Sequence, residues 1–270
     1  MKYAKKSLGQ NYLIDLNIIN KIVDLSKTFD KNILEIGPGK GALTDQILKN
    51  KPKSLILIEK DYLLYQELKK KYQNIRNVVI FNKDILKFNF ENKIKDKTII
   101  FGNLPYNISS QVLAKIIKFK KWPPKYSDLI LMFQKELAEK IIGKFNTSKY
   151  GRLSILANYR LKLASKFDVS PNCFRPKPKV NSTVLYLKPI QKITYKIQDI
   201  KNLEKVTNIL FSNKRKMINK NLKKIFNKKK LDLLKNFNLK LRPSDISPEK
   251  YYEITQLFEK NFLIFFYLLK

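Results

Sequence analysis

The chain has 270 residues, with 56 Lys and Arg against 22 Asp and Glu, a formal charge of +34, no histidine and one cysteine, Cys173. Disulfides within the chain, histidine metal sites and a histidine general base are therefore excluded. So basic a balance points to a polyanion, nucleic acid before membrane, although Lys, Asn and Ile are abundant everywhere, as in a chain encoded by an AT-rich genome.

The N-terminal stretch MKYAKKSLGQ lacks the apolar core of a signal peptide. Lys5 to Asp15 reads as a basic lead-in to an amphipathic helix over about Asn17 to Ser26. A β-branched run, Ile33 to Ile36, then enters Gly37, Gly39 and Gly41 and a helix through Gln46 to Leu48. Glycines between a strand and a helix let backbone approach a ligand and leave helix N–H groups aimed at it. The spacing is G-x-G-x-G, whereas dinucleotide binders have G-x-G-x-x-G, which disfavours a pyrophosphate ligand. A second strand, Ser54 to Glu59, ends on an acid about 20 residues after the glycines, where a carboxylate reaches ribose hydroxyls. A third, Asn77 to Asp84, ends near another. Asp84 either accepts from an adenine amine or, like Glu59, caps the next helix. Two such acids after a glycine turn point to a nucleoside-bearing cofactor.

The next strand, Lys97 to Phe101, runs into Gly102 to Ser110, GNLPYNISS. Pro105 fixes its own φ and pushes Leu104 toward extended backbone, so the corner is stiff. Ser109 is placed to cap a helix with apolar positions Val112, Leu113, Ile116 and Ile117. Asn103-Leu104-Pro105-Tyr106 thus lies at a strand exit and a helix entrance, where ligands bind in α/β sheets. An amide oxygen and the backbone carbonyl beside it can hold one –NH2 group by two hydrogen bonds, returning electron density to its nitrogen. Tyr106 offers a face for a flipped-out base, worth about 1–3 kcal/mol. For N-x-P-Y taken alone, a plain turn remains an equal alternative.

Strands at Asp128 to Phe133, Leu161 to Val169 and Ser182 to Leu187 continue the alternation of a doubly wound, mostly parallel sheet, and the last two, joined without a helix, suggest an antiparallel edge. In the intervening proline-rich loop, Phe174 is either a stacking platform in a basic surround or a buried anchor. Cys173 is a poor candidate nucleophile, because nothing beside it lowers its pKa apart from general basicity. Tyr150 and Arg152, in KYGRLS, suit either a phosphate contact or a helix start. After residue 188 strands give way to helical periodicity (Leu203, Val206, Ile209, Leu210, Met217, Ile218, Leu222, Ile225), and Pro189 to Lys270 holds 19 basic and 7 acidic residues. Residues 1–188 are thus expected to form the cofactor-binding α/β domain and 189–270 a small all-α, basic domain that contacts phosphates. The longest apolar stretch, Phe262 to Leu269, is too short to span a bilayer and reads as a core-packing helix end, so a cytoplasmic location is the expectation.

Taken together, GQNYL (Gly9 to Leu13), EIGPGKGALT (Glu35 to Thr44), IEKD (Ile58 to Asp61), Asp84, GNLPYNISS, FQKELAEKI (Phe133 to Ile141), YGRLS (Tyr150 to Ser154), FRPKPKVNS (Phe174 to Ser182), FSNKRK (Phe211 to Lys216) and LRPSDIS (Leu241 to Ser247) resemble the small-subunit ribosomal RNA adenine dimethyltransferases over nearly the whole chain. The resemblance implies a Rossmann-like class I methyltransferase domain and a helical domain. It also implies transfer of two methyls from S-adenosylmethionine to each of two adjacent adenines near the 3′ end of small-subunit rRNA. It assigns the cofactor to Asn11, Leu13, Gly37, Glu59, Asp84 and Asn103, places Asn103 of the corner Asn103-Leu104-Pro105-Tyr106 between cofactor and target, matches Tyr106 and Phe174 to the aromatics that clamp the flipped base, and puts Arg215 and Lys216, with Lys214 beside them, at the family's basic cluster; with Tyr150 and Arg152 these are the expected RNA contacts. No metal is implied, and a monomer acting on rRNA in a pre-30S-like particle is expected. Asn213 stands where the family more often has glutamine. The macrolide-resistance methyltransferases of large-subunit rRNA share the cofactor and amine motifs and are the nearest rival.

Overall fold

Among the described residues the elements follow in chain order as β1 (Tyr12–Leu13), α1 (Leu16–Val23), β2 (Asn32–Ile36), α2 (Ala42–Lys49), β3 (Ser54–Glu59), α3 (Tyr62–Lys71), β4 (Val78–Asn82), β5 (Thr98–Asn103), α4 (Ser109–Ile117), β6 (Tyr126–Gln134), α5 (Lys135–Ile141), α6 (Arg152–Arg160), β7 (Leu161–Val169), β8 (Phe174–Arg175), β9 (Ser182–Pro189), α7 (Ile200–Leu210), α8 (Asn219–Leu222) and α9 (Pro248–Tyr267). The computed structural model describes residues 10–228, 231, 234 and 238–267, with side chains as far as 260. The side chains of the apolar stretch Phe262 to Leu269, expected to pack in a core, lie outside the described residues.

Seven strands form one sheet in the order β4-β3-β2-β5-β6-β9-β7. The first five are parallel, and β9 runs antiparallel to both β6 and β7, as the helix-free connection between the last two strands leads one to expect. Ile33, Leu34, Leu55, Leu57, Ile100, Phe101, Leu129 and Leu131 are all buried. Near-continuous apolar strands of this kind are what a parallel sheet covered on both faces requires. From β2 the chain winds outward through β3 and β4, then returns to place β5 on the other side of β2. The order reverses there, and the crevice beyond the carboxyl ends of β2 and β5 is the fold's natural ligand position.

Local chemistry sets the element ends. Asp15 caps α1, its Oδ1 accepting from the N–H groups of Asn17 and Ile18 at 2.9 and 3.1 Å, so this helix starts earlier than apolar periodicity alone suggests. Ser109 sits inside the first turn of α4, and its hydroxyl donates to the Tyr106 carbonyl at 3.1 Å. The serine therefore ties the helix to the Asn103–Tyr106 corner rather than capping N–H groups.

The chain divides into two compact units, Met1–Ala138 with Leu161–Gln191, and Glu139–Arg160 with Lys192–Lys270. The second unit thus takes in 139–160, which the sequence places with the first. Hydrogen bonds within the unit explain why: Tyr150 Oη donates to the Ile246 carbonyl at 2.9 Å, Tyr252 Oη to the Ile155 carbonyl at 3.2 Å and Tyr159 Oη to the Tyr195 carbonyl at 2.7 Å. Glu259 accepts from the backbone N–H groups of Gln198 and Asp199 and from the Asn202 amide, which joins α9 to the start of α7.

Candidate functional site

The crevice is a cleft of about 680 Å³ that includes Asn11, Leu13, Gly37, Glu59, Asp84 and the corner from Asn103 to Tyr106 in its walls. Each wall follows from a strand end. β2 pairs with β5 so that Ile36 lies opposite Gly102, which brings the glycine turn beside the Asn103 corner. A Cβ at Gly37, where φ is +68°, would lie 3.9 Å from the Asn103 carbonyl oxygen. At Gly39, φ +59°, a Cβ would lie 3.1 Å from the Tyr12 ring, so the absent side chain lets that ring lie on the turn.

Glu59, the last residue of β3, is buried, and its two carboxylate oxygens accept from the N–H groups of Gly39 at 3.1 Å and Asp61 at 2.8 Å. Burial raises its pKa, against the opposing pull of these bonds. A carboxylate has about four acceptor positions, so capacity for further hydroxyl donors remains. Asp84 lies just beyond β4 and behaves oppositely. Its partial burial is outweighed by a 3.0 Å ion pair with Lys60 and by the Leu86 N–H at 2.9 Å, which together hold its pKa below the usual carboxylate range. Lys115, from α4, donates to the Leu86 carbonyl at 2.6 Å and so braces the loop carrying Asp84; desolvation lowers its pKa.

At the corner, Asn103 Nδ2 donates to the Asn11 carbonyl at 3.4 Å, which fixes the amide by its nitrogen and leaves its oxygen as acceptor. Leu104 is buried and Pro105 half-buried. Tyr106 hydrogen-bonds through its hydroxyl to Ser182 Oγ at 2.6 Å.

Two expected site residues stand elsewhere. Phe174 is only 1% exposed and packs in the core with Leu13, Val169, Cys173 and Val184 among its neighbours. Its place in β8, opposite Leu13 of β1, makes it the anchor of the N-terminal segment. A ring so enclosed offers no free face to a base in this conformation, which favours the buried-anchor reading of this loop. Tyr150 is also buried, at 7%, and is committed to Ile246, so phosphate contact by its hydroxyl is ruled out in this conformation. Arg152 is the first residue of α6. In contrast, Lys214, Arg215 and Lys216 are all exposed on the segment after α7. Cys173 is buried with its thiol 3.6 Å from Asp15 Oδ2; burial and the carboxylate raise its pKa, which opposes nucleophilic use.

Several site residues were not apparent from sequence. Glu35, inside β2, is fully buried against Thr44 Oγ1 at 2.6 Å, and burial pushes its pKa up to about 7 despite that bond. Gln10 bridges Tyr12 and Asp61 at 2.8 and 3.3 Å, and Tyr12 lies over the glycine turn. Lys60 was visible only as part of IEKD.

A seven-stranded sheet of this order, with a cleft at the switch point and an acid at each of two neighbouring strand ends, defines a class I methyltransferase. A dimethyladenosine transferase from Plasmodium falciparum superposes with a TM-score of 0.78 over 92% of this chain and 97% of that one at 28% identity, and the 23S rRNA methyltransferase ErmE with 0.66 over 92% and 99% at 20% identity, the latter a likeness of fold. Ribosomal RNA small subunit methyltransferase A of Pelagibacter ubique is 44% identical over 95% of this chain and 97% of its own length, and that of Malacoplasma penetrans 40% identical over 92% and 90%. The family described as ribosomal RNA adenine dimethylase matches residues 1–260, and the chain belongs to that family. Its enzymes are rRNA adenine dimethyltransferases, and the class implies an S-adenosylmethionine methyl donor.

Proposed function

We propose that this protein dimethylates the exocyclic amines of two adjacent adenosines near the 3′ end of small-subunit (16S) rRNA, using S-adenosylmethionine, during assembly of the small ribosomal subunit. The observation that carries the reading is the juxtaposition, in one cleft, of the Asn103–Tyr106 corner with the Gly37 turn, Glu59 and Asp84. The choice of small-subunit over large-subunit RNA follows the names of the relatives at 44% and 40% identity.

The cleft fits the donor. Glu59 keeps acceptor positions for ribose hydroxyls, the ionised Asp84 suits the adenine amine, and Asn11, Leu13 and Gly37 wall the space between them and the corner. Bound there, S-adenosylmethionine supplies a sulfonium methyl that is already an activated electrophile. The chain's task is then positioning more than acid–base work. Asn103 Oδ1 and the Leu104 carbonyl accept the two hydrogens of the target amine, draw its lone pair out of the ring and aim it. Pro105 keeps that pair of acceptors rigid, and Tyr106 stacks on the extruded base. The displaced proton passes to water once the amine has taken the methyl. A chain without histidine is sufficient for this chemistry.

Lys214, Arg215 and Lys216, all exposed, are assigned to phosphate contacts. Action as a monomer in the cytoplasm, on a pre-30S-like particle, completes the reading. Incubation with radiolabelled S-adenosylmethionine and small subunits lacking the modification, followed by mapping, should place label on two adjacent adenines near the 3′ end. Label in large-subunit RNA, or none, would overturn it.

A further inference from the structure

We infer that Ser182 is a positioning residue for methyl transfer: its hydroxyl tethers Tyr106 and sets the angle at which that ring meets the target adenine. The inference rests on the proposed use of Tyr106 as the stacking face.

Tyr106 sits on a turn between β5 and α4, and it is half-buried in the wall of the cleft. A turn residue with two free side-chain torsions is a poor platform unless something fixes the ring, because stacking depends on the plane of the ring as well as its presence. The fixing group is Ser182 Oγ, 2.6 Å from the tyrosine hydroxyl. Ser182 is completely buried and is the first residue of β9, where it lies opposite Gln134 of β6 and Val169 of β7. The Lys135 N–H also bonds to the carbonyl of the preceding Asn181 at 2.9 Å. Its backbone is thus held from both sides by the sheet. The next residue, Thr183, turns to the opposite face and donates to Asp168 at 2.7 Å, so alternation along the strand commits Ser182 to the cleft side.

A purely structural serine would have other consequences. The bond joins a half-buried ring to a strand that is fixed without it, so its loss frees the ring and leaves the sheet intact. The Tyr106 main chain has its own restraint, since its carbonyl accepts from Ser109 Oγ at 3.1 Å. What the Ser182 bond adds is ring orientation.

The test is a double-mutant cycle of Tyr106→Phe and Ser182→Ala on undermethylated small subunits, read as kcat and KM for the particle, Kd for S-adenosylmethionine and thermal midpoint. A parallel measurement uses 2-aminopurine at the target position, whose fluorescence reports stacking. Each single variant should lose about 2–12-fold in kcat/KM, the range of one hydrogen bond of modest net worth. The double variant should be no worse than the worse single, cofactor Kd should hold within twofold, and quenching of 2-aminopurine should weaken equally in both singles. Multiplicative losses in the double variant, wild-type kcat/KM in Tyr106→Phe, or quenching untouched while activity falls would each overturn the tether. Tyr106→Phe removes only an oxygen from a half-buried ring, so it decides the question even if Ser182→Ala folds poorly. Wild-type protein that methylated no rRNA adenine would instead sink the underlying reading, and the tether with it.

Discussion

Replacing Phe174 with alanine separates a buried anchor from a base-stacking ring. The side chain is 1% exposed and packs in the core among Leu13, Val169, Cys173 and Val184, so truncation removes a whole ring from a close-packed site. Such Phe→Ala changes cost about 3–5 kcal/mol. Phe174 also lies opposite Leu13 in the pairing that holds Tyr12–Leu13, and the neighbouring Asn11 carbonyl orients the Asn103 amide. The loss should therefore spread to the cleft and weaken cofactor affinity as well as turnover. Phe174→Leu keeps most of the volume and should cost less than about 1.5 kcal/mol. Urea denaturation with the midpoint and slope both fitted gives the stability term, and calorimetric titration with S-adenosylmethionine gives the affinity. If Phe174→Ala kept its urea midpoint and cofactor affinity while kcat/KM for RNA collapsed, the ring would be a stacking platform and its assignment to the core wrong.

Asn103→Ala should lower methyl transfer by about 10²–10³-fold, the range for losing one preorganised group at a reacting centre, while cofactor Kd changes much less; equal losses in both would refute its role as acceptor. Glu35 makes a pH prediction. Its folded pKa, near 7, lies above the value it has in the unfolded chain, so between about pH 4.5 and 7 the folded state binds the extra proton and stability falls as pH rises. The difference in urea midpoint between wild type and Glu35→Gln should therefore drift across that window and level off above it; a constant offset would show that the acid is not buried in this way. Replacing Lys214, Arg215 and Lys216 together with alanine should weaken RNA binding and flatten the log–log salt slope by roughly two to three. An unchanged slope in filter binding would mean that these side chains are only a solvated face.

What the sequence discloses about this site depends on how local each cause is. The glycine turn, the Glu59 strand end and the Asn103 corner are readable because each is a few consecutive residues whose backbone preferences act on themselves: β-branched runs, then Gly, or a Pro that stiffens its own neighbourhood. Glu35 is the same kind of residue as Glu59 on the page, an acid in an apolar run. What separates them is that one ends its strand and the other sits inside it, with Thr44 nine residues away as partner. The reading of Phe174 stayed open for a similar reason. Prolines and lysines around it look like a surface loop, and the strand that buries it, Tyr12–Leu13, is two residues long and more than 150 positions distant, too short to carry any periodicity. The same holds for 139–160, whose membership in the second unit is settled by carbonyls as remote as Ile246. Chemistry-bearing residues were thus legible where a strand delivers them to its end, and hidden where a distant backbone atom holds them. The groups that orient Asn103 and Tyr106, the Asn11 carbonyl and the Ser182 hydroxyl, are of that second sort. A motif names the atoms that meet the substrate, but the angle at which they meet it is set by residues far along the chain, and there substitutions with no effect on the motif should still move kcat.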